Sequence, residues 1–144
     1  MSDASVPFQL QRFVDAQERC FEIAIVELQS GMKQSHWMWF IFPQLAGLGR
    51  SPTAQFYGIR SLQEARAYLA HPLLAQRYRD AVIDLRAWVE RRTAREILGP
   101  VDAMKLRSSL TLFENASGDP LFADAIRAFF GEPDDATLRL LQRI

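Results

Sequence analysis

The residues able to do chemistry gather in two stretches of the chain. The first is Ser35 to Ser51, S-H-W-M-W-F-I-F-P-Q-L-A-G-L-G-R-S. His36 is its one side chain suited to proton transfer near neutral pH, which makes it the candidate catalytic residue. Trp37 and Trp39 offer indole faces on which a planar ligand can stack without base-specific contacts. Gln44 brackets the aromatic run on its far side with a second polar group. Gly47-Leu-Gly-Arg-Ser-Pro52 follows, with Ser51 expected to cap a helix and Pro52 to occupy its first turn. Free amides at such a start, approached across small residues, favour an anion. Arg50 adds a two-pronged donor for phosphate or carboxylate. The second stretch places Asp102, Lys105 and Ser109 at i, i+3 and i+7, on one helix face distinct from the Leu106/Leu110/Phe113 stripe.

Each group also has a plainer role. The glycine loop is a tight turn with Arg50 in solvent, the aromatics are core, and Asp102 with Lys105 is a surface ion pair of small worth. Established catalytic patterns are missing from the chain. The loop lacks the lysine of a P-loop and the spacing of a dinucleotide fingerprint. No C-x-x-C or H-E-x-x-H pattern occurs, so no metal and no cofactor is expected. His36 with Ser51 or Ser109 makes a base–nucleophile pair only if the fold brings them together.

The elements that must position these residues read as helices. Three stretches have the spacing of a capping box: Asp15-Ala-Gln-Glu18, Ser61-Leu-Gln-Glu64 and Thr93-Ala-Arg-Glu96. The first predicts a helix from Asp15 to about Ser30, stopped by Gly31, after an entry segment from Val6 to Val14. Ser35 to Phe42 reads as a short buried helix closed by Pro43. His71 precedes Pro72 in a capping position. Leu74, Tyr78, Ala81, Leu85 and Trp88 then recur at helical spacing. Gly99-Pro100 marks a break, and Asp102 to Glu114 reads as helix. Asp119-Pro120 starts another that ends at Gly131, and Asp134 or Asp135 caps a last one. With no hairpin signal, these features agree on an all-α fold of about six to eight helices in a single compact domain over 1–144, with 1–7 a loose N-terminal segment.

Bulk properties narrow the partners. In 144 residues, 49% apolar, 17 basic residues balance 17 acidic ones, which argues against a main role in binding nucleic acid. The longest apolar run, Trp37 to Phe42, is too short to span a bilayer, so a soluble cytoplasmic protein with no membrane role is expected. A lone cysteine, Cys20, reads as a small core residue.

The long string S-H-W-M-W-F-I-F-P-Q-L-A-G-L-G-R-S, then Tyr57-Gly-Ile, Glu64-Ala-Arg-Ala-Tyr-Leu-Ala-His-Pro-Leu-Leu and Asp102-Ala-Met-Lys-Leu-Arg-Ser-Ser-Leu-Thr-Leu-Phe113, resembles the bacterial family called domain of unknown function 1810. The resemblance runs from Phe13 to about Leu141. It implies an all-α fold and no established activity. The calpastatin label that members sometimes carry suits a long disordered inhibitor, not this short, apolar, regularly capped chain. The polar candidates His36, Gln44, Arg50, Ser51, Lys105 and Ser109 fall inside those strings, which suggests that they converge on one pocket floored by aromatics. Two functions then compete. One is binding or processing of a small anionic ligand, nucleotide or ADP-ribose-like. The other is a non-catalytic protein-interaction module that exposes the aromatic stretch, rimmed by Lys33, His36 and Arg50.

Overall fold

The computed structural model describes residues 8–144; the expected loose segment 1–7 lies outside the described residues. The described residues form nine helices: α1 (Gln11–Gln29), α2 (Met38–Ile41), α3 (Pro52–Phe56), α4 (Leu62–Ala70), α5 (Pro72–Arg86), α6 (Ala94–Leu98), α7 (Pro100–Ser117), α8 (Pro120–Phe130) and α9 (Asp135–Arg143). They contain no strand, only an isolated parallel bridge between Leu45 and Ile59. The fold is all-α as expected. The count exceeds six to eight because α2, α3 and α6 are single turns of four or five residues.

Local chemistry sets most helix ends. Ser51, Ser61, His71, Thr93, Asp119 and Asp134 each accept a hydrogen bond from a first-turn amide of the helix that follows. Thr93 and Glu96 complete a reciprocal capping box. The Ser61 box is only half made, because the Glu64 carboxylate takes the Arg60 amide and the Arg12 guanidinium instead. The Asp15 box does not form. Leu10 and Phe13 are fully buried, so packing draws the chain into helix from Gln11, and Asp15 receives only the Gln11 side-chain amide. Likewise α5 ends at Arg86, and Trp88 lies beyond it, its indole donating to the Leu28 carbonyl at 2.9 Å.

The helix α7 packs against α4, α6, α8 and α9, while α1 lies on α5 and α2. Aromatic rings link these layers. Phe13 meets Tyr68 at 5.2 Å, Tyr68 meets Phe113 at 5.1 Å, and Tyr78 meets Phe113 at 4.6 Å between ring centroids. The buried hydroxyls are satisfied: the Gln17 amide donates to Tyr68, and Tyr78 shares a 2.8 Å hydrogen bond with Ser109. Cys20 is half-buried against the core, and burial raises its thiol pKa against the pull of Arg19 and Arg77. No helix of the described residues is long and apolar enough to cross a membrane.

Between α1 and α2 the chain is held by one carboxylate. Glu27 accepts the backbone amides of Gln34 and Ser35 at 2.8 and 3.0 Å, the Ser35 hydroxyl, and the Trp37 indole N–H at 2.9 Å. Enclosure by these groups works against ionisation, but the hydrogen bonds outweigh it and hold the carboxyl at about 2, below its ordinary 4.5. Gly31 makes the turn possible. Its φ is +71°, and a Cβ there would stand 2.8 Å from the Trp88 ring.

Two predictions follow from this corner. Glu27→Gln should lower the unfolding free energy by about 2 kcal/mol at neutral pH, the scale of hydrogen bonds to a charged acceptor. A carboxyl at about 2 when folded and near 4.5 when unfolded stabilises fully above 4.5 and loses that contribution as pH falls through 2. Urea denaturation over that window should therefore show wild type converging on the variant; a pH-independent gap would contradict the clamp. Gly31→Ala should cost about 1 kcal/mol for its left-handed backbone plus the displacement of Trp88. Gly118→Ala, at φ +69° with nothing within 4 Å, should cost only the first part. Equal losses in melting temperature would remove the Trp88 contact from the account.

Candidate functional site

The sequence-derived site is built on the short turn α2 and the start of α7. Glu27 seats Trp37, which is fully buried and tilted against Phe42. Two positions on, Trp39 stays half-buried and turns one indole face to Lys105, whose ammonium stands 3.6 Å from the ring centroid. On α7, Asp102 lies 3.4 Å from Lys105 and 2.9 Å from Lys33, and Lys33 in turn sits 5.1 Å over the Trp37 ring. One carboxylate thus holds two ammonium groups, and each ammonium covers an indole. Cation–π contacts of this kind are worth about 0.5–2 kcal/mol, more as water is excluded. Lys33 is further fixed by its own amide, which donates to the Ile97 carbonyl at 2.8 Å.

The glycine loop closes on the other edge of Trp39. Gln44 accepts the Ile59 amide through its carbonyl at 2.9 Å, and the Ala46 amide donates back to Ile59 at 2.7 Å, so the loop's base is stapled. A Cβ on Gly49 would lie 2.6 Å from the Ala54 Cβ, 3.6 Å from the Gln44 side-chain nitrogen and 3.9 Å from the tip of Trp39. Glycine there lets backbone, amide side chain and indole share one small volume. Arg50 follows directly, and its exposed guanidinium makes no ion pair or hydrogen bond among the described residues. Ser51 caps α3, its hydroxyl accepting the Ala54 amide at 3.1 Å.

The structure therefore brings Trp39 and Gln44 together at Gly49 and sets Lys105 over the Trp39 ring, with Arg50 and Ser51 on the chain adjoining Gly49. It places Trp37 and Ser109 elsewhere, inside the core, with their polar groups engaged by Glu27 and Tyr78. His36 is exposed, one residue ahead of buried Trp37, and forms no hydrogen bond among the described residues. None of the four concavities described in the chain is lined by these residues. Among the described residues, no group of three His, Cys, Asp or Glu side chains is placed to hold a metal ion. Glu27 and Asp102's second partner, Lys33, carry the geometry, yet sequence spacing does not single Glu27 out. Its only signal is an acidic residue four positions before the Gly31 stop.

The profile of the family described as "Protein of unknown function (DUF1810)" matches residues 7–141. No curated protein matches the chain in sequence. Among solved structures, the chain is similar to the conserved hypothetical protein Rv1873 from Mycobacterium tuberculosis, a crystal structure at 1.38 Å. The two share 45% identity and a TM-score of 0.91, over 94% of this chain and 98% of that one. Profile and structural likeness both span nearly the whole chain, as does the resemblance that runs from Phe13 to about Leu141: the protein belongs to the DUF1810 family.

Proposed function

We propose that the face formed by Trp39, the Gly47–Ser51 loop and the first turns of α7 binds a small anionic ligand, nucleotide or ADP-ribose-like. The observation that carries this reading is the Lys105 ammonium seated 3.6 Å over the Trp39 indole, whose tip meets a glycine loop ending in an arginine with no ion pair among the described residues. Lys33, Lys105 and Arg50 set three positive charges against the single carboxylate of Asp102. Phosphate would draw Lys105 and Arg50 toward it, and the planar part of the ligand would lie along the exposed edge of Trp39. His36 is the group assigned to proton transfer if the ligand is processed. Trp37 supports the floor from inside and does not touch the ligand, and Ser109 acts through the Tyr78 hydrogen bond that fixes α7. The docking-module reading draws less support, since Trp37 is fully buried and leaves one indole, not two, for a partner to cover.

Thermal-shift titration with ADP-ribose, ADP and inorganic phosphate tests the proposal. A ligand at about 100 times its dissociation constant stabilises by about 2.7 kcal/mol, which is readily seen as a rise in melting temperature. The rise should occur with a nucleotide and disappear in both Arg50→Ala and Lys105→Gln. No rise with any of the three compounds, or a rise unchanged in both variants, would overturn it.

A further inference from the structure

At the far end of α3 from Ser51 lies a concavity of about 540 Å³, lined by Phe8, Gln9, Arg12, Phe56, Arg60, Ser61 and Glu64. That volume falls within the roughly 300–1,000 Å³ typical of small-molecule sites. Its floor is an ion pair between Arg12 and Glu64 at 2.8 Å, with side chains only 11% and 3% exposed. The Arg12 guanidinium donates to the carbonyls of Phe8, Gln9, Phe56 and Gly58 as well as to Glu64. Its five N–H groups are all engaged, so it holds the two walls in place and has nothing left for a ligand. The same guanidinium thus ties the backbone of Phe8 to that of Phe56, two of the residues that line the concavity.

Above that neutral floor, several groups are left unused. Phe56 is 58% exposed, a large aromatic ring open to solvent. The Arg60 guanidinium and the Gln9 side-chain amide have no partner among the described residues, although the Arg60 amide is bound to Glu64. The Ser61 hydroxyl accepts the Glu64 amide, and its own proton has no acceptor among them. Gln9 is held at φ +58°, a left-handed conformation that a non-glycine residue adopts at a cost. Two aromatic walls, one uncompensated cation, two neutral donors and a strained backbone meet at one concavity.

We infer that this is a second binding site, distinct from the Trp39 face, for a planar aromatic monoanion of the aryl-carboxylate class. The ring lies between Phe8 and Phe56, and the carboxylate takes the Arg60 guanidinium with the Ser61 hydroxyl. One free positive charge over a charge-balanced floor selects a single negative charge, and the apolar walls select an arene over a sugar phosphate.

The test is an amide ¹H–¹⁵N titration with 2-naphthoate, repeated with neutral 2-naphthamide. 2-Naphthoate should give saturable shifts at the amides of Phe8, Arg60 and Ser61. Affinity should fall at least about tenfold in Arg60→Gln, in Phe56→Ala and for 2-naphthamide, the loss expected for one charge-assisted hydrogen bond or one stacking wall. Both variants alter exposed side chains, and an unchanged melting temperature verifies that they fold. Lys105→Gln should bind 2-naphthoate as wild type does, which separates this site from the nucleotide proposal. Absence of saturable shifts, equal affinity in Arg60→Gln, or shifts centred on Trp39 would overturn the inference.

Discussion

A single carboxylate governs the shape of the region where this protein's polar and aromatic residues meet. Glu27 leaves α1 near its end and receives four donors from the next ten residues, including the indole of Trp37. An ionised acceptor that is satisfied this fully resists rearrangement, because any change leaves a charge or a donor without a partner. The chain from Gly31 to Trp37 therefore follows one path, and α2 begins where that path ends. Without it, a run of six apolar residues between Trp37 and Phe42 could settle into the core in several ways.

The rest of the candidate site is arranged by the same kind of fastening. Asp102 gathers Lys33 and Lys105, and those ammonium groups cover the two indoles that Glu27 and α2 have positioned. At the other end of α3, Arg12 spends every donor on backbone carbonyls and Glu64, joining the starts of α1 and α4 to the Phe56–Gly58 turn. Charges in these places act as joints between segments with little regular structure of their own. What they leave free is informative: Arg50 and Arg60 flank α3 with guanidinium groups that no internal carboxylate claims among the described residues.

Much of the fold was legible because it is written in local rules. The caps at Ser51, His71, Thr93, Asp119 and Asp134, and Pro52, Pro72 and Pro120 in the first turns of three of those helices, need only neighbouring residues to act. Where a distant contact outcompetes a local one, the sequence reading goes astray. Asp15 looks like a cap, but burial of Leu10 and Phe13 extends the helix past it. Glu64 looks like the second half of a capping box, but a guanidinium 52 positions away in the chain claims it. The candidate site shows the same division. The i, i+3 pairing of Asp102 with Lys105 follows from helical spacing, whereas the approach of Lys105 to Trp39 depends on where α2 rests against α7. Ser109 shares a face with Lys105 by spacing, yet one more helical turn carries it into the core beside Tyr78.

The Glu27 clamp, by fixing the path into α2, sets Trp39 under Lys105. The proton chemical shifts of the Lys105 ε-methylene group test it most directly, because a group stacked over an indole is shielded by the ring current. These resonances should lie well upfield of an unstructured lysine in the wild-type protein and move back toward that value in Glu27→Gln. Lys105 resonances at the unstructured position in the wild type, or an upfield shift untouched by Glu27→Gln, would mean that Glu27 does not hold Trp39 in place.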